Sequence, residues 1–212
     1  MPNWCNNNIT ISGDEGTIRT LTAVLKSIKT SDEEQSNNVF QSLIGLPQHM
    51  SDGDYKEKWY DTNIEWFGTK WDISYSEDMF NFSKNEISFS CETAWSPPIP
   101  FLQNLCEMYK VNANLFYSEG GVGFSGETTF NWVDGELEVN DDECGYLEGI
   151  YKYSREEFWS EVESRVDCIL DEEQTLEDFI SEFDFVSEED KEELTRLYNE
   201  TINNNDEESE GE

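Results

Sequence analysis

The chain has 212 residues, of which 48 are acidic and 13 basic, for a formal net charge of −35 at neutral pH. A charge of that size makes the compact state repel itself and keeps it off anionic surfaces, so nucleic acid and membranes are excluded as direct partners and a strongly basic protein is expected instead. Aromatic residues reach 14%, which excludes a disordered polyanion and calls for a core built from large rings.

The first element is a strand. Ile9 and Ile11 alternate with polar residues in Asn8-Ile9-Thr10-Ile11-Ser12, closed by Gly13. Asp14 and Glu15 stand where a helix start favours acids, and Ile18, Leu21, Leu25 and Ile28 follow at helical spacing. A polar loop is expected over 30–38. Val39, Phe40, Leu43, Ile44, Leu46 and Pro47 form an apolar patch ending in a turn, and Asp52-Gly53-Asp54 reads as a loop. Trp59, Tyr60, Trp66 and Phe67 are dense aromatics without a clean period. Trp71, Ile73 and Tyr75 alternate, as do Ile87, Phe89 and Cys91, with Ser83-Lys84-Asn85 between them. The pattern predicts a hairpin. Leu102, Leu105, Cys106 and Tyr109 predict a helix after Pro97, Pro98 and Pro100. Val111, Ala113, Leu115 and Tyr117 predict a strand. A second hairpin is expected over about 122–139, turning at Asp134-Gly135.

Strand, helix, two strands, helix, strand is the βαββαβ order of a ferredoxin-like sandwich. The predicted class is α+β, a ferredoxin-like sandwich enlarged by a hairpin over residues 1–140. An acidic helical extension follows over 150–202, and a disordered acidic tail over 203–212. The extension has three apolar stripes: Phe158, Trp159, Val162, Val166, Ile169 and Leu170; Leu176, Phe179, Ile180 and Phe183; Leu194, Leu197, Tyr198 and Ile202. Ser154 with Glu157, Thr175 with Asp178 and Ser187 with Asp190 fit capping boxes at their starts, allowing Asp for Glu.

Three sets of words point to a family: Met1-Pro2-Asn3-Trp4-Cys5-Asn6-Asn7; Trp66-Phe67-Gly68-Thr69-Lys70-Trp71-Asp72; and Thr93-Ala94-Trp95-Ser96-Pro97-Pro98 with Tyr117-Ser118-Glu119-Gly120-Gly121 and Phe124-Ser125-Gly126. Over about residues 1–130 the chain resembles the YubB-type ferredoxin-like domain family of phage and plasmid proteins. Phe67 stands where that family usually has Trp. The resemblance implies the fold and a mobile-element origin, and it carries no catalytic residues over. The acidic helices after residue 150 lie outside it.

The charge is uneven. Residues 151–212 hold 23 acids and 5 bases, whereas residues 1–50 hold five acids, against the even acidity of salt adaptation. Carboxylates three or four residues apart on a helix stand about 5–6 Å apart, and duplex DNA carries one charge per about 1.7 Å of axis. Acidic helix faces side by side approach that density. The candidate partner-binding residues are Glu156, Glu157, Glu163, Asp167, Asp171, Glu172, Glu173, Glu177, Asp178, Glu182, Asp184, Glu188 and Glu189, with Tyr151, Tyr153 or Trp159 as exposed rings among them.

Other chemistry is weakly signalled. Asp141-Asp142-Glu143 offers hard oxygens to a metal but lacks a spaced ligand loop and reads as a solvated turn. His49, with Cys5, Cys91, Cys106, Cys144 and Cys168 scattered, carries no nucleophile signature and no Cys-x-x-Cys pair. No signal peptide and no membrane-spanning run is read, so the expected place is the cytoplasm of a bacterial host cell. Neither metal nor cofactor is expected. The functional expectation is a non-catalytic, phage-type anti-defence inhibitor whose acidic surface imitates nucleic acid and occupies the basic groove of a host nucleic-acid-binding protein of restriction, CRISPR, nuclease or helicase type. Two alternatives stay open: a scaffold that binds a partner through apolar surface, and a small-molecule-binding or hydrolytic domain using Glu92, Trp95 and Glu119.

Overall fold

A computed structural model describes the backbone of residues 3–28, 38–169 and 175–209 and, within these, the side chains of all but residues 52, 165, 167–169 and 203–209. The chain divides into two compact units, Met1–Tyr146 and Leu147–Glu212.

The first unit is built on a six-stranded sheet in the order β2-β3-β1-β4-β5-β6, with every neighbouring pair antiparallel. β1 (Trp4–Ser12) is central, β3 (Glu86–Ala94) and β4 (Asn112–Glu119) flank it, and β2 (Phe80–Phe82) closes one edge. The β2-β3-β1-β4 order is that of a βαββαβ sandwich. β5 (Phe124–Val133) and β6 (Glu136–Gly145) extend it as the expected hairpin. Asp134 (φ 51°) and Gly135 (φ 88°) both take the left-handed conformation that a tight two-residue hairpin needs. β6 keeps its pairing with β5 to Gly145, which carries the sheet unit past the expected limit of 140.

The register brings Ile9 opposite Phe89 and Leu115, and Ile11 opposite Ile87 and Ala113. These odd-numbered β1 residues face the core, as strand alternation dictates. Helix α1 (Glu15–Ser27) packs Ile18, Leu21 and Leu25 into it, and Asp14 caps its start by accepting from the Gly16 and Thr17 amides. Helix α4 (Ile99–Tyr109) adds Phe101, Leu102, Leu105 and Cys106. Phe101 stacks on Phe40 of α2 (Val39–Ile44) at 4.1 Å, and Phe40 meets Phe67 at 6.0 Å. Each such fully buried ring stabilises by about 1.5–3 kcal/mol.

Two expectations over 52–75 are corrected. Asp52-Gly53-Asp54 is the first turn of α3 (Asp52–Phe67), not a loop. Ser51 and Asp54 form a capping box there, and a kink at Lys58 breaks the helical period. Residues 71–75 form no strand. Their one bridge joins Ser74 to Asn38, because the Asp72 carboxylate turns back to accept from the Phe40 and Gln41 amides at 2.8 Å each, and so caps α2. The strand pairing with β3 is β2 instead, after a 3-10 turn at Glu77–Met79.

The second unit holds α6 (Arg155–Ile169), α7 (Leu176–Ser181) and α8 (Glu188–Ser209). α5 (Tyr146–Tyr153), which the periodicity does not signal, leads into it. Phe158, Val162, Phe179, Phe183 and Leu194 are fully buried. Their rings meet edge to face, Phe158 with Phe183 at 6.2 Å and Phe179 with Phe183 at 5.2 Å. Thr175 and Asp178 form the expected capping box. α8 corrects the expected tail, since the helix runs to Ser209, past the Asn203 at which disorder was expected. Residues 203–209 contain neither Gly nor Pro to stop it. Residues 210–212 of that expected tail lie outside the described residues.

Candidate functional site

In the helical unit, α6 and α8 enclose an open groove of about 540 Å³ lined by Trp159, Glu163, Glu189, Asp190, Glu192, Glu193 and Arg196. Its base is set by Asp190, which is 4% exposed. The Asp190 carboxylate accepts from the Tyr151 hydroxyl and the Ser187 hydroxyl at 2.7 Å each and from the Arg155 guanidinium, while the Asp190 amide donates to Ser187 Oγ at 3.2 Å. Burial pushes the Asp190 carboxyl up, but these donors together outweigh it and hold the group below its ordinary value. The Ser187 amide donates to Tyr151 rather than to Asp190, so the expected box is only half formed at this helix start. Tyr151, expected as a recognition ring, is spent on this structural contact.

The candidate carboxylates fall into groups. Glu163 and Glu189 line the groove beside the Trp159 ring. Glu156 and Glu157 are exposed in the first turn of α6, Glu177 and Asp178 in that of α7, and Glu182 and Asp184 just beyond it. Asp178 is also committed to capping Thr175. Glu188 is exposed at the start of α8 and takes Lys191 at 2.7 Å. The Asp167 side chain and Asp171, Glu172 and Glu173 lie outside the described residues. Sequence reasoning missed Glu192, Glu193 and Arg196. The guanidinium joins Glu193 to Glu200 along α8, an i,i+3 and i,i+4 pattern that the sequence does display.

The sheet unit carries a different groove, of about 310 Å³, between the outer edge of β3 and residues 71–74. Trp4, Trp71, Asp72, Met79, Glu92 and Thr93 are among its walls. Trp71 stands 6.2 Å from Trp4 and 6.1 Å from Trp95, and all three rings are exposed. Lys70 Nζ lies over this cluster, 4.4 Å from the Trp71 centroid and 4.8 Å from that of Trp95. Trp95 has φ 70°, a left-handed conformation that is strained for a bulky residue. A hydrogen-bond network holds it there. The Trp95 amide donates to the Asn3 carbonyl, Thr93 Oγ1 to the Ser96 carbonyl, Ser96 Oγ to the Gly68 carbonyl, and the Ala94 amide to Thr69 Oγ1.

The remaining candidates have structural duties. Glu119 is 2% exposed and accepts from the Gly121 and Val122 amides at 2.7 Å each, closing the β4–β5 turn. Asp141-Asp142-Glu143 corrects a further expectation, because it lies within β6 and not in a turn. Alternate strand side chains point to opposite faces, so three consecutive carboxylates do not converge on one ion. Asp141 accepts from the Thr128 and Tyr117 hydroxyls at 2.6 and 3.1 Å. Among the described residues no group of three or more His, Cys, Asp or Glu could hold a metal. His49 is exposed in a turn. Burial pushes the Cys5, Cys91 and Cys106 thiols up to about 12, so none of the three supplies a thiolate nucleophile at neutral pH.

No helix among the described residues is long and apolar enough to cross a membrane. No curated protein matches the chain. Among solved structures, the crystal structure of a protein api92 from Yersinia pseudotuberculosis is similar at 9% identity, covering 69% of this chain and 98% of that one, with a TM-score of 0.37. The profile of the ferredoxin-like domain in Api92-like proteins matches residues 52–199. The match takes in α6, α7 and most of α8. With that span matched, the chain belongs to the family of ferredoxin-like domains found in Api92-like proteins.

Proposed function

We propose that this protein is a non-catalytic inhibitor that presents ordered carboxylates as a decoy for nucleic acid. On this reading its acidic helices occupy the basic groove of a nucleic-acid-binding protein. The observation that carries it is the α6–α8 groove, where Glu163, Glu189, Glu192 and Glu193 surround the Trp159 ring over a base held by Asp190. Carboxylates fixed on a packed helical frame meet a basic surface without first being ordered, which lowers the cost of association. Trp159 adds a ring on which a guanidinium can lie. Charge pairing with such a partner makes association fast and salt-sensitive. The words at residues 1–7, 66–72 and 93–98 resemble those of YubB-type domains in phage and plasmid proteins. That likeness supports a mobile-element origin, and with it action against a host defence protein in the bacterial cytoplasm.

The test is capture from a bacterial lysate, with identification of the bound proteins by mass spectrometry. Nucleic-acid-binding proteins are expected to bind, to be displaced by duplex DNA, and to be lost above about 0.5 M salt, where screening acts within ~3–5 Å. The Glu163→Lys, Glu189→Lys double variant is expected to keep its helical content and lose the capture. Capture that survives high salt, that DNA does not displace, or that the double variant retains rules the reading out.

A further inference from the structure

An interior strand directs the N–H and C=O groups of alternate residues to its two sides. In β3 the odd residues serve β1: the Cys91 carbonyl accepts from the side chain of Asn7, its partner in register, and just past the strand ends the Trp95 amide donates to the Asn3 carbonyl in the same phase. The even residues face outward. The Glu86 carbonyl accepts from the Ser83 amide in the turn to β2, and Ser88 pairs with Asn81 of β2. At the other end Ala94 is closed off by a side chain, since Thr69 Oγ1 accepts from its amide at 3.1 Å and donates to its carbonyl at 3.3 Å. Between these ends lie Ser90 and Glu92. β2 stops at the residue paired with Phe89, and among the described residues no strand pairs with the outer side of residues 90–94. The gap is about four residues, or ~13 Å, long.

The 310 Å³ groove lies against this gap. One wall is the free strand edge, and the other is residues 71–74, whose alternation reads as a strand yet pairs with β3 nowhere. Proteins cover or blunt long free edges. Here the edge opens instead onto Trp4 and Trp71, beside Trp95 held in a strained conformation, and local strain maintained by a rigid surround marks functional positions. The charge of the site specifies what fits. Glu92, exposed on the edge itself, is the carboxylate the groove offers, since that of Asp72 on the facing wall is turned to the α2 amides. The ring faces already accept a cation, the Lys70 ammonium, and no ion pair among the described residues joins Lys70 to a carboxylate.

We propose that this groove takes one extended, basic segment of a partner polypeptide, which adds to the outer edge of β3 through the main-chain groups of Ser90 and Glu92. An arginine or lysine of the segment lies against the Trp71 ring and pairs with Glu92. Main-chain bonds supply affinity in this mode and the side-chain contacts supply selectivity. The site belongs to the sheet unit, so it stands or falls separately from the acidic groove.

The test titrates the full chain at 0.15 M salt with the peptide acetyl-Thr-Arg-Val-Arg-Val-amide, read by tryptophan fluorescence. Saturable binding is expected. N-methylation of the alternate amides that would face β3 should weaken it at least tenfold, while N-methylation of the intervening amides should leave it within about threefold; only strand addition makes this distinction. Replacing both peptide arginines by glutamate, or Glu92→Lys in the protein, should also weaken binding at least tenfold. The Glu163→Lys, Glu189→Lys variant should bind as the parent does. Equal tolerance of both methylation patterns overturns the proposal, as does loss of binding in the acidic-groove variant, absence of binding up to millimolar peptide, or a concentration-dependent dimer that the peptide fails to dissociate.

Discussion

The Tyr151 hydroxyl donates to the buried Asp190 carboxylate at 2.7 Å, across 39 residues of sequence, and in the same geometry accepts from the Ser187 amide at 2.9 Å. One phenol thereby ties the end of α5 to the start of α8. Arg155, from the first turn of α6, completes the set. Asp190→Ala removes the acceptor for three donors and leaves the Tyr151 hydroxyl short of a partner. A loss of about 2–4 kcal/mol is expected in the stability of the helical unit. Tyr151→Phe should lose about 1–2 kcal/mol. Urea unfolding followed by circular dichroism checks both, and equal stability of the Ala variant contradicts the role.

The sign of the pH effect follows from the same contact. Tyr151, Ser187 and Arg155 hold the Asp190 carboxyl below its ordinary value against the opposing effect of burial. The contribution is therefore complete above the unfolded value, near 3.8, and is lost as pH falls through the lower folded value.

Asp72 shows the opposite sign. Burial raises its carboxyl from an ordinary 3.8 to about 6, although the Gln41, Phe40 and Ile73 amides donating to it pull the other way. The folded protein therefore holds this proton more tightly than the unfolded chain does. From this group, stability is greatest below about 4 and declines as pH rises towards about 6. The carboxyl carbon of Asp72 should titrate near pH 6 by NMR, and Asp72→Asn should flatten the stability profile between pH 4 and 6. A midpoint at or below the ordinary value contradicts this account.

Gly68 holds the corner beneath Trp95. It ends α3 with φ 83°, and an added Cβ would stand 2.4 Å from Pro100 Cδ. Its carbonyl accepts the Ser96 hydroxyl at 2.6 Å. Gly68→Ala combines backbone strain with overpacking and is expected to cost about 2–4 kcal/mol. Gly135, with φ 88° close to that of Gly68 and no neighbour within 4 Å of an added Cβ, supplies the control. Gly135→Ala should cost about 1 kcal/mol from strain alone. Comparable losses at the two glycines, measured by urea midpoint, would remove Pro100 from the explanation.

The fold was legible where local pattern and tertiary role agree. The alternation of Ile9 and Ile11, the stripe Ile18–Leu21–Leu25 and the Asp134-Gly135 turn each announce the element that forms. Local pattern failed where a side chain was needed elsewhere. Trp71, Ile73 and Tyr75 alternate like a strand, but Asp72 between them caps α2, more than thirty residues back. Asp52-Gly53-Asp54 resembles a loop because Asp54 closes a capping box with Ser51, and caps and turns favour the same residue types. The acidic character of the helices could be read directly. The groove could not, because Trp159 and Glu163 reach Glu189 and Glu193 only through the packing of Phe158, Phe179, Phe183 and Leu194. The β3 gap was hidden because it depends on β2 being only three residues long.

The net charge of −35 sets a last expectation. In the acidic groove Arg196 is the one cation among seven lining residues, so repulsion there is only partly offset. Raising salt from about 0.01 M to about 0.15 M shortens the screening length from ~30 Å to ~8 Å. Repulsion across the helical unit should fall and the folded state should gain. Surface ion pairs such as Lys191–Glu188 weaken at the same time, but each contributes well under about 1 kcal/mol. The balance should favour folding by about 1 kcal/mol or more, a rise of ~3 °C in Tm for a chain of this length. The Glu163→Lys, Glu189→Lys variant should start with a higher Tm at low salt and respond less to added salt. If Tm is flat or falls with salt in the parent protein, its carboxylates are neutralised by some means other than screening, and bound cations become the first thing to measure.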